Sequence, residues 1–456
     1  MTALLVSAYE LGHQPFGLAS PAAWLRRDGV DVRTIDLTKD TLADADLLAA
    51  SFIGFHLAMH TATRLASPVI RRARAMNPSA RICAYGLYAP LNEEWLRSLG
   101  VDHVIGGEFE ERLASLAREP EQNPPRVVPA IPKLRFLVPD RTGLPPLSRY
   151  ATLILGDGTR RTVGYTEASR GCRHLCRHCP IVPVYNGEFR VVQPEVVLAD
   201  VDAQIDAGAA HITFGDPDFF NGPTHAMRIV EALHARHPAV TYDATIKVEH
   251  LLQHRDLLPR LGATGCLFIT SAVESVDDGV LARLDKGHTR QDFEAAVSIC
   301  AQAGVTLAPT FVAFHPWLSL DGYCELLDTI ERLGLVSHVA PIQLAIRLLI
   351  PLGSRLLELE DVRHLVGAFD PNTLAYPWAH PDPRVDVLHR DVTALVGSRL
   401  VADRGAVFDE ISHLAHERAG TARPVVRDRG AHVAVPAMSE PWYCCAEPNP
   451  DQLRVI

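Results

Sequence analysis

The chain has 456 residues, of which 47% are apolar and 21% charged, and its formal net charge is -10. These values are typical of a globular protein and exclude a disordered or collagen-like chain. The acidic balance argues against general nucleic-acid binding, which depends on basic surface, so we expect no nucleic-acid partner.

The amino-terminal region, residues 1–118, alternates short apolar strands with helical stretches. The patterns predict helices at 19–27 and 67–76 and strands at 3–7, 30–35, 52–55, 81–85 and 103–105. Strands that alternate with helices form a parallel sheet covered on both faces, with ligands beyond the carboxyl ends of the strands. The predicted fold class is therefore α/β, beginning with an open doubly wound domain.

Three further regions follow along the chain. Residues 119–159 are rich in proline, which predicts a linker that runs over the surface. Residues 160–351 contain a second series of βα units, with strands predicted at 162–166, 211–214, 241–246, 266–270, 306–313 and 342–349. Six such units suggest a partial barrel of the TIM type, in which the chemistry gathers at the carboxyl ends of the strands. Residues 352–456 are less regular and form a carboxyl-terminal extension.

The sequence also bears on location and redox state. No uninterrupted apolar run approaches the ~18–20 residues of a membrane span. The first residues lack the basic stretch and the cleavage site of a signal peptide. We therefore expect a cytoplasmic protein with no membrane partner. In such a protein the nine cysteines favour metal or redox chemistry over a disulfide framework.

Three cysteines stand close together after the first predicted strand of the barrel. Cys172, Cys176 and Cys179 have the spacing C-x3-C-x2-C, which lets one short loop hold three corners of an iron–sulfur cube. Three ligands leave one iron of a 4Fe-4S cluster without a protein ligand, and an open metal position is where a substrate can bind. The alternative is a structural zinc site with His174 or His178 as the fourth ligand.

A C-x3-C-x2-C loop after the first strand of a six-unit βα barrel resembles the radical S-adenosylmethionine superfamily. The resemblance implies that the open iron takes the amino and carboxylate groups of S-adenosylmethionine, and that an electron from the cluster breaks a carbon–sulfur bond. The family often has an aromatic residue before the last cysteine, where this chain has His178. The imidazole could still pack near the adenine.

Residues at two other predicted strand ends are similar to the same family. Gly215 and Asp216 stand where the family has a Gly-Gly-Glu-like segment, which implies that they hold the methionine amino group. A carboxylate suits that ammonium ion. Glu274 and Ser275 stand where the family's Glu-Ser hydrogen-bonds the ribose hydroxyls. The alternatives are a helix N-cap at Asp216 or Asp218 and a solvated loop acid at Glu274.

A doubly wound domain before such a barrel resembles the cobalamin-binding class of the superfamily, in which the cobalt carries a methyl group or assists other radical steps. The usual signature for the lower cobalt ligand is Asp-x-His-x-x-Gly. This chain has Glu10-Leu-Gly-His13-Gln-Pro-Phe-Gly17, with one extra residue between the histidine and the last glycine. Cobalamin is therefore a candidate cofactor, and the alternative is a domain that keeps the fold and holds nothing. For His13 itself we expect an ordinary surface histidine.

Two adjacent cysteines, Cys444 and Cys445, stand near the carboxyl terminus. Adjacent Cα atoms lie ~3.8 Å apart, short of the ~4.4–6.8 Å usual for a disulfide, so a bridge between them would be strained. Two neighbouring thiols suit a thiophilic centre such as arsenic, selenium or a metal. The sequence Cys-Cys-Ala-Glu-Pro resembles a subgroup of the superfamily with a CCAEP tail, which implies a reactive pair. The alternative is a pair of idle or buried cysteines.

These features predict an enzyme that uses a 4Fe-4S cluster to cleave S-adenosylmethionine reductively and to modify an unknown small-molecule substrate, with an electron donor such as flavodoxin or ferredoxin. An alternative is transfer of the aminocarboxypropyl group to arsenic or another thiophilic acceptor on the terminal cysteine pair. A third hypothesis is a non-enzymatic protein that binds zinc or another metal. The remaining cysteines are expected to pack in the core, since free cysteine behaves as a small hydrophobe; they are Cys83, Cys266, Cys300 and Cys324.

Overall fold

Five parallel strands form the sheet of the amino-terminal domain, in the order β2-β1-β3-β4-β5. The computed structural model describes residues 2–119, 126–397, 403–424 and 435–440. The strands are β1 (Thr2–Ser7), β2 (Asp31–Asp36), β3 (Phe52–His56), β4 (Arg81–Tyr85) and β5 (His103–Ile105). The helices are α1 (Phe16–Arg27), α2 (Asp44–Ala49), α3 (His60–Met76), α4 (Glu93–Ser98) and α5 (Glu110–Arg118). In this strand order the chain reverses its direction of winding between β1 and β3, which is the ligand-binding switch point of doubly wound sheets.

A second sheet builds the barrel. Its order is β13-β12-β11-β10-β7-β6-β14, and all pairs from β7 to β13 are parallel. The strands of this region are β6 (Thr152–Ile154), β7 (Arg160–Thr166), β8 (Ser169–Gly171), β9 (Phe189–Val191), β10 (His211–Phe214), β11 (Thr241–Thr245), β12 (Cys266–Glu274), β13 (Thr306–Phe311) and β14 (Ala437–Met438). The short strands β8 and β9 pair with each other as an antiparallel hairpin.

Helices alternate with these strands, and most of them contribute to the barrel core. They are α6 (Val182–Tyr185), α7 (Pro194–Asp206), α8 (Pro223–Arg236), α9 (Val248–Gln253), α10 (Leu258–Ala263), α11 (Asp278–Leu284), α12 (Arg290–Gln302), α13 (Leu320–Arg332), α14 (Glu360–Leu365), α15 (Pro383–Gly397) and α16 (Arg404–Ala419). Helix α7 shows why the pattern specifies a helix. Pro194 occupies its first turn, and Val197 and Val201, four residues apart, face the core and are buried. Among the described residues, no helix combines the length and apolar character that crossing a bilayer requires.

The α/β fold class is confirmed, with a parallel amino-terminal sheet followed by a partial barrel. The sixth barrel strand, predicted at 342–349, is wrong. Its first half is a 3-10 helix, Pro341–Ala345, because Pro341 has no N–H to donate and suits the first turn of a helix. The side chain of Gln343 accepts a hydrogen bond from the Phe311 N–H at 3.2 Å, so a side chain replaces the backbone of a sixth strand. In the described part of the chain, an isolated parallel bridge joins Phe314 to Arg347 in place of a paired strand.

Three local predictions also need correction. Helix α3 begins at His60 rather than near residue 67, and Pro68 lies inside it. The proline-rich segment does not only run over the surface, because Leu134 and Phe136 are buried and belong to the barrel core. The carboxyl-terminal extension contains the long helices α15 and α16, which pack on each other. The four core cysteines are buried as predicted.

Candidate functional site

A cavity of about 360 Å³ lies between the amino-terminal domain and the barrel. One wall comes from the switch point of the first sheet, where Glu10 and His13 follow β1 and His56 ends β3. The opposite wall comes from the mouth of the barrel and includes Cys179 and Asp216. The two ligand-binding ends of the two sheets therefore open into one space.

The cysteine loop connects β8 to α6 at the barrel mouth. Among the described residues, no disulfide engages Cys172, Cys176 or Cys179. The Cys172 N–H donates to the Glu188 carbonyl at 3.1 Å and the Cys179 N–H to the Cys176 carbonyl at 3.1 Å, so backbone hydrogen bonds fix both ends of the loop. Burial raises the pKa of the Cys172 thiol to about 11, so a metal ion must displace the proton to bind there. Three cysteines in one short, braced loop fit an iron–sulfur cluster.

Glu274 lies beside this loop at the end of β12 and is only 6% exposed. The His178 ring nitrogen lies 3.1 Å from its carboxylate, and the Lys286 ammonium donates to the same oxygen at 3.4 Å. Burial acts to raise its pKa, but Lys286 and then His178 outweigh burial and lower the pKa to about 2. Glu274 is therefore a buried charged acceptor, and the alternative of a solvated loop acid is wrong. The neighbouring Ser275 hydroxyl accepts a hydrogen bond from the Asp277 N–H at 3.1 Å.

Asp216 follows β10 and faces the cavity. Its carboxyl accepts hydrogen bonds from the Ser169 hydroxyl at 2.5 Å and from the Ala168 N–H at 2.9 Å. It does not cap a helix, whereas Asp218 caps a 3-10 helix by accepting from the Phe220 N–H. Burial raises the pKa of Asp216 to about 7 despite the hydrogen bonds that lower it. The adjacent Gly215 is packed so closely that a Cβ there would lie 1.9 Å from the Tyr165 hydroxyl.

The sequence reasoning missed the buried guanidinium of Arg170, which joins the two domains. Arg170 is 7% exposed and forms ion pairs with Glu108 at 2.9 Å, Glu110 at 2.7 Å and Glu167 at 2.6 Å. Glu108 and Glu110 belong to the amino-terminal domain, while Arg170 lies two residues before Cys172. The sequence around Arg170 gave no signal of this partner set, since Glu108 and Glu110 stand about 60 residues earlier in the chain.

His13 is not an ordinary surface histidine. It lines the cavity, and its ring lies 4.8 Å from that of Tyr165. Burial lowers its pKa to about 4, so the imidazole is neutral at pH 7. Beside it, the His56 ring and the Glu10 carboxylate form a pair at 2.7 Å. A neutral imidazole at the switch point suits a corrinoid cobalt, so the donor chemistry of this wall fits cobalamin.

The segment 435–440 closes one side of the cavity. Strand β14 pairs antiparallel with β6, and Glu440 accepts a short hydrogen bond from the Tyr9 hydroxyl. Cys444 and Cys445 lie outside the described residues. The structure therefore brings together the loop cysteines, Asp216, Glu274 and His13 around the barrel mouth.

The chain matches two family models. Residues 166–331 match the radical SAM superfamily, and residues 2–117 match the B12 binding domain. It is 27% identical over 135 residues to the bacteriochlorophyllide d C-12(1)-methyltransferase of Chlorobaculum tepidum, covering 29% of each chain. It is 24% identical over 325 residues to the hopanoid C-3 methylase of Methylococcus capsulatus, covering 67% of this chain and 62% of that protein. The chain therefore spans less than two thirds of the length of either relative.

Two solved structures share the fold. The cobalamin-dependent S-adenosylmethionine radical enzyme OxsB with aqua-cobalamin bound has a TM-score of 0.70 at 15% identity, covering 91% of this chain and 71% of that one. The radical S-adenosylmethionine methyltransferase TsrM from Kitasatospora setae, with cobalamin and a 4Fe-4S cluster bound, has a TM-score of 0.56 at 16% identity, covering 73% and 70%.

Fold and site thus define an enzyme in which a B12 binding domain precedes a radical SAM barrel. The chain belongs to the radical SAM superfamily, in its cobalamin-binding class. The cofactors of this family are a 4Fe-4S cluster and S-adenosylmethionine, and the amino-terminal domain makes cobalamin the candidate third cofactor.

Proposed function

We propose that this enzyme methylates a small-molecule substrate held in the cavity between its two domains. The observation that carries the proposal is that Cys179, Asp216 and His13 line one continuous space. The positions for a cluster, for S-adenosylmethionine and for cobalamin therefore open toward the same substrate. The methyl-transferring activity in the names of both curated relatives supports this choice of reaction.

The loop cysteines hold the cluster in this proposal. Cys172, Cys176 and Cys179 would hold the cluster and would leave one iron without a protein ligand, where the resemblance to the family implies that S-adenosylmethionine binds. The cluster, when bound, supplies one electron to the sulfonium, and only the low end of the ~-700 to +450 mV range of protein clusters suffices for that. A reductant such as flavodoxin or ferredoxin must provide this electron.

Asp216 and Glu274 orient S-adenosylmethionine from two strand ends. Gly215 and Asp216 receive the methionine ammonium, and Glu274 with Ser275 accepts hydrogen bonds from the ribose hydroxyls. The Glu274 carboxylate is kept charged by Lys286, so it is ready to accept before the ligand arrives. Charge-assisted hydrogen bonds of this kind are about twice as strong as neutral ones.

When the methylation begins with removal of a substrate hydrogen atom, the balance of atoms gives the following products. One S-adenosylmethionine leaves as methionine and 5′-deoxyadenosine, which carries away the substrate hydrogen. A second molecule gives the methyl group and leaves as S-adenosylhomocysteine. Two electrons are consumed, because each of the two sulfonium charges is neutralised once.

The cluster assignment is tested by iron analysis of anaerobically purified protein. The wild-type chain should hold about four irons, and Cys176→Ala should lose most of that iron together with S-adenosylmethionine cleavage. Cys300→Ala is the matched control, since Cys300 is a fully buried core thiol far from the loop in sequence. Full iron content in Cys176→Ala would contradict the assignment.

The reaction is tested by product analysis with methyl-labelled S-adenosylmethionine under reducing conditions. Methylation predicts 5′-deoxyadenosine and S-adenosylhomocysteine in equal amounts, with the label in the product. Methylthioadenosine without label transfer would instead indicate aminocarboxypropyl transfer.

That second reaction has one structural observation in its favour. Glu440 lies on the cavity wall, and Cys444 follows it by four residues in sequence. An extended chain covers at most about 3.6 Å per residue, so four residues allow at most about 14 Å between Glu440 and Cys444. Within that distance the terminal thiols could hold an arsenic or other thiophilic acceptor. Cys444→Ser with Cys445→Ser should abolish this reaction and leave methylation of a thiol-independent substrate intact.

A further inference from the structure

Three potential metal ligands meet beside the cysteine loop, on residues that the proposed function does not use. His174 comes from the loop itself, Asp218 from the segment after β10, and His250 from α9. One ligand atom from each lies within 4.8 Å of the other two. We propose that these residues form a second metal site, distinct from the iron–sulfur cluster, that binds one divalent transition-metal ion such as Zn²⁺ or Fe²⁺.

The contacts of the three ligand atoms are consistent with a metal ion bound between them. His250 Nδ1 lies 2.7 Å from Asp218 Oδ2, and His174 Nε2 lies 3.7 Å from the same oxygen. Despite these distances, none of the three atoms has a hydrogen-bond partner among the described residues, and all three are buried. The Asp218 side chain is 2% exposed and that of His250 is 9% exposed. Buried polar atoms are nearly always hydrogen-bonded, so three atoms that approach one another without a hydrogen bond of good geometry need an explanation.

The donor set selects the type of ion. Two imidazole nitrogens and one carboxylate oxygen are the ligands of many zinc sites and of the facial triad that binds Fe²⁺. Thiolate does not take part, so the site differs in chemistry from the three cysteines beside it. Hard ions such as Mg²⁺ prefer oxygen ligands and are disfavoured here.

His174 also has a carboxylate beside its second ring nitrogen, as metal-binding histidines usually do. The second ring nitrogen of His174, Nδ1, lies 3.5 Å from the Glu249 carboxylate. A carboxylate on the far nitrogen fixes the tautomer and the ring orientation of a metal ligand. The nearby Lys247 ammonium would repel a metal ion, but it is itself paired with Glu249 at 3.3 Å. Asp218 and Glu249 together outweigh the charge of Lys247, so the site stays net negative before a metal binds.

The position gives the site a role. His174 lies between Cys172 and Cys176 in sequence, while Asp218 and His250 are held by the β10 and β11 ends of the barrel. A metal ion bridging them would anchor the cysteine loop to the barrel independently of the cluster.

The test uses the anaerobically purified holoenzyme, in which the three loop cysteines bind the iron of the cluster. The protein is loaded with Zn²⁺, passed through gel filtration and analysed for both metals. We expect one zinc per chain in addition to the cluster iron. Asp218→Asn should weaken zinc binding by at least about 100-fold, since even outer-sphere partners contribute 10–100-fold. Its cluster iron should be unchanged. Asp202→Asn is the matched control, because Asp202 pairs with His237 at 2.8 Å in a surface pair outside this three-residue group.

Zinc X-ray absorption on the wild-type holoenzyme tests the same site without relying on a variant that folds. Nitrogen and oxygen ligands at about 2.0–2.1 Å with imidazole scattering are expected. A sulfur shell near 2.3 Å, no retained zinc, or equal zinc binding by Asp218→Asn would overturn the proposal. None of these results depends on turnover, so they test the second metal site independently of the proposed methylation.

Discussion

Asp216 and Glu274 end two strands of the same barrel sheet and are almost equally buried, at 2% and 6% exposed. Asp216 accepts hydrogen bonds from a hydroxyl and backbone amides, and burial, with a smaller contribution from Glu167, raises its pKa to about 7. Glu274 lies against Lys286 and His178, which lower its pKa to about 2 in spite of the same burial. Burial therefore does not set the charge of a carboxyl group at this barrel mouth; the presence of a cation does.

The difference has a functional reading under the proposed roles. Glu274 binds hydroxyl groups, which bring no charge, so the protein supplies the cation that keeps it ionised. Asp216 receives an ammonium, so the ligand itself brings the cation. A buried carboxyl group with no cation beside it is ionised most readily when a cationic ligand binds, so it favours such ligands.

Removing the cation beside Glu274 should have the largest effect. Lys286→Met leaves a buried carboxylate with His178 alone, and breaking a buried pair costs about 3 kcal/mol. Urea unfolding at pH 7 should show this loss. In the wild-type protein the lowered pKa of Glu274 stabilises the fold above about pH 4.5, and that contribution is lost as the pH falls toward 2. The variant should lack this acid-dependent loss.

Lys247→Met is the control for that experiment. Its partner Glu249 has a side chain that is 42% exposed and can be solvated by water, so the loss should stay below about 1 kcal/mol. Equal destabilisation by the two variants would contradict the idea that Lys286 offsets a buried charge.

The affinity for S-adenosylmethionine should depend on the ionisation of Asp216. Because its pKa of about 7 must fall when an ammonium binds, affinity should weaken by about tenfold per pH unit below pH 7. Calorimetry in buffers of different ionisation enthalpy should detect a proton released on binding. Asp216→Asn should bind weakly with a flat pH profile, and the surface variant Asp202→Asn should keep the wild-type profile. A flat profile in the wild-type protein would remove Asp216 from the ammonium site.

A further pH effect is expected at the domain interface, where Glu108 extends the comparison. Burial raises its pKa to about 7 although Arg170 opposes that shift. The folded state thus holds a proton that the unfolded state releases, so stability should fall as the pH rises from about 4.5 to 7, by at most about 3 kcal/mol, and then level off. Glu108→Gln should flatten this slope in urea titrations at pH 5 and 8. The exposed neighbour variant Glu111→Gln should retain it, and an unchanged slope in Glu108→Gln would rule out this carboxyl as the source.

Much of the architecture was predictable because the periodicity is local. The strands at 81–85, 103–105 and 211–214 have the predicted bounds, and alternation of strands with helices carries the fold class. The sixth barrel strand failed because its replacement depends on the Gln343 side chain reaching Phe311, a contact that sequence patterns do not contain. Burial of Leu134 and Phe136 was missed for the same reason, since proline content indicates an irregular backbone and not its depth.

The candidate site was predictable as a set of positions and not as a network. The spacing of the three cysteines predicts the cluster loop, and the positions of Asp216 and Glu274 at strand ends identify them as candidates. Their opposite ionisation could not be foreseen, because it depends on Lys286, twelve residues after Glu274 in sequence. His13 was misjudged because its burial comes from Tyr165 of the barrel, a contact across the domain interface.

The pairing of β14 with β6 has a consequence for the order of assembly. Ser439 bonds to Thr152 across 287 positions of the chain, so this wall can form only after residue 439 has left the ribosome. Domains generally fold as units during synthesis, from the amino terminus onward. The space between the B12 binding domain and the barrel therefore stays open on this side while both are already folded. Large prosthetic groups can therefore enter this space before β14 pairs with β6.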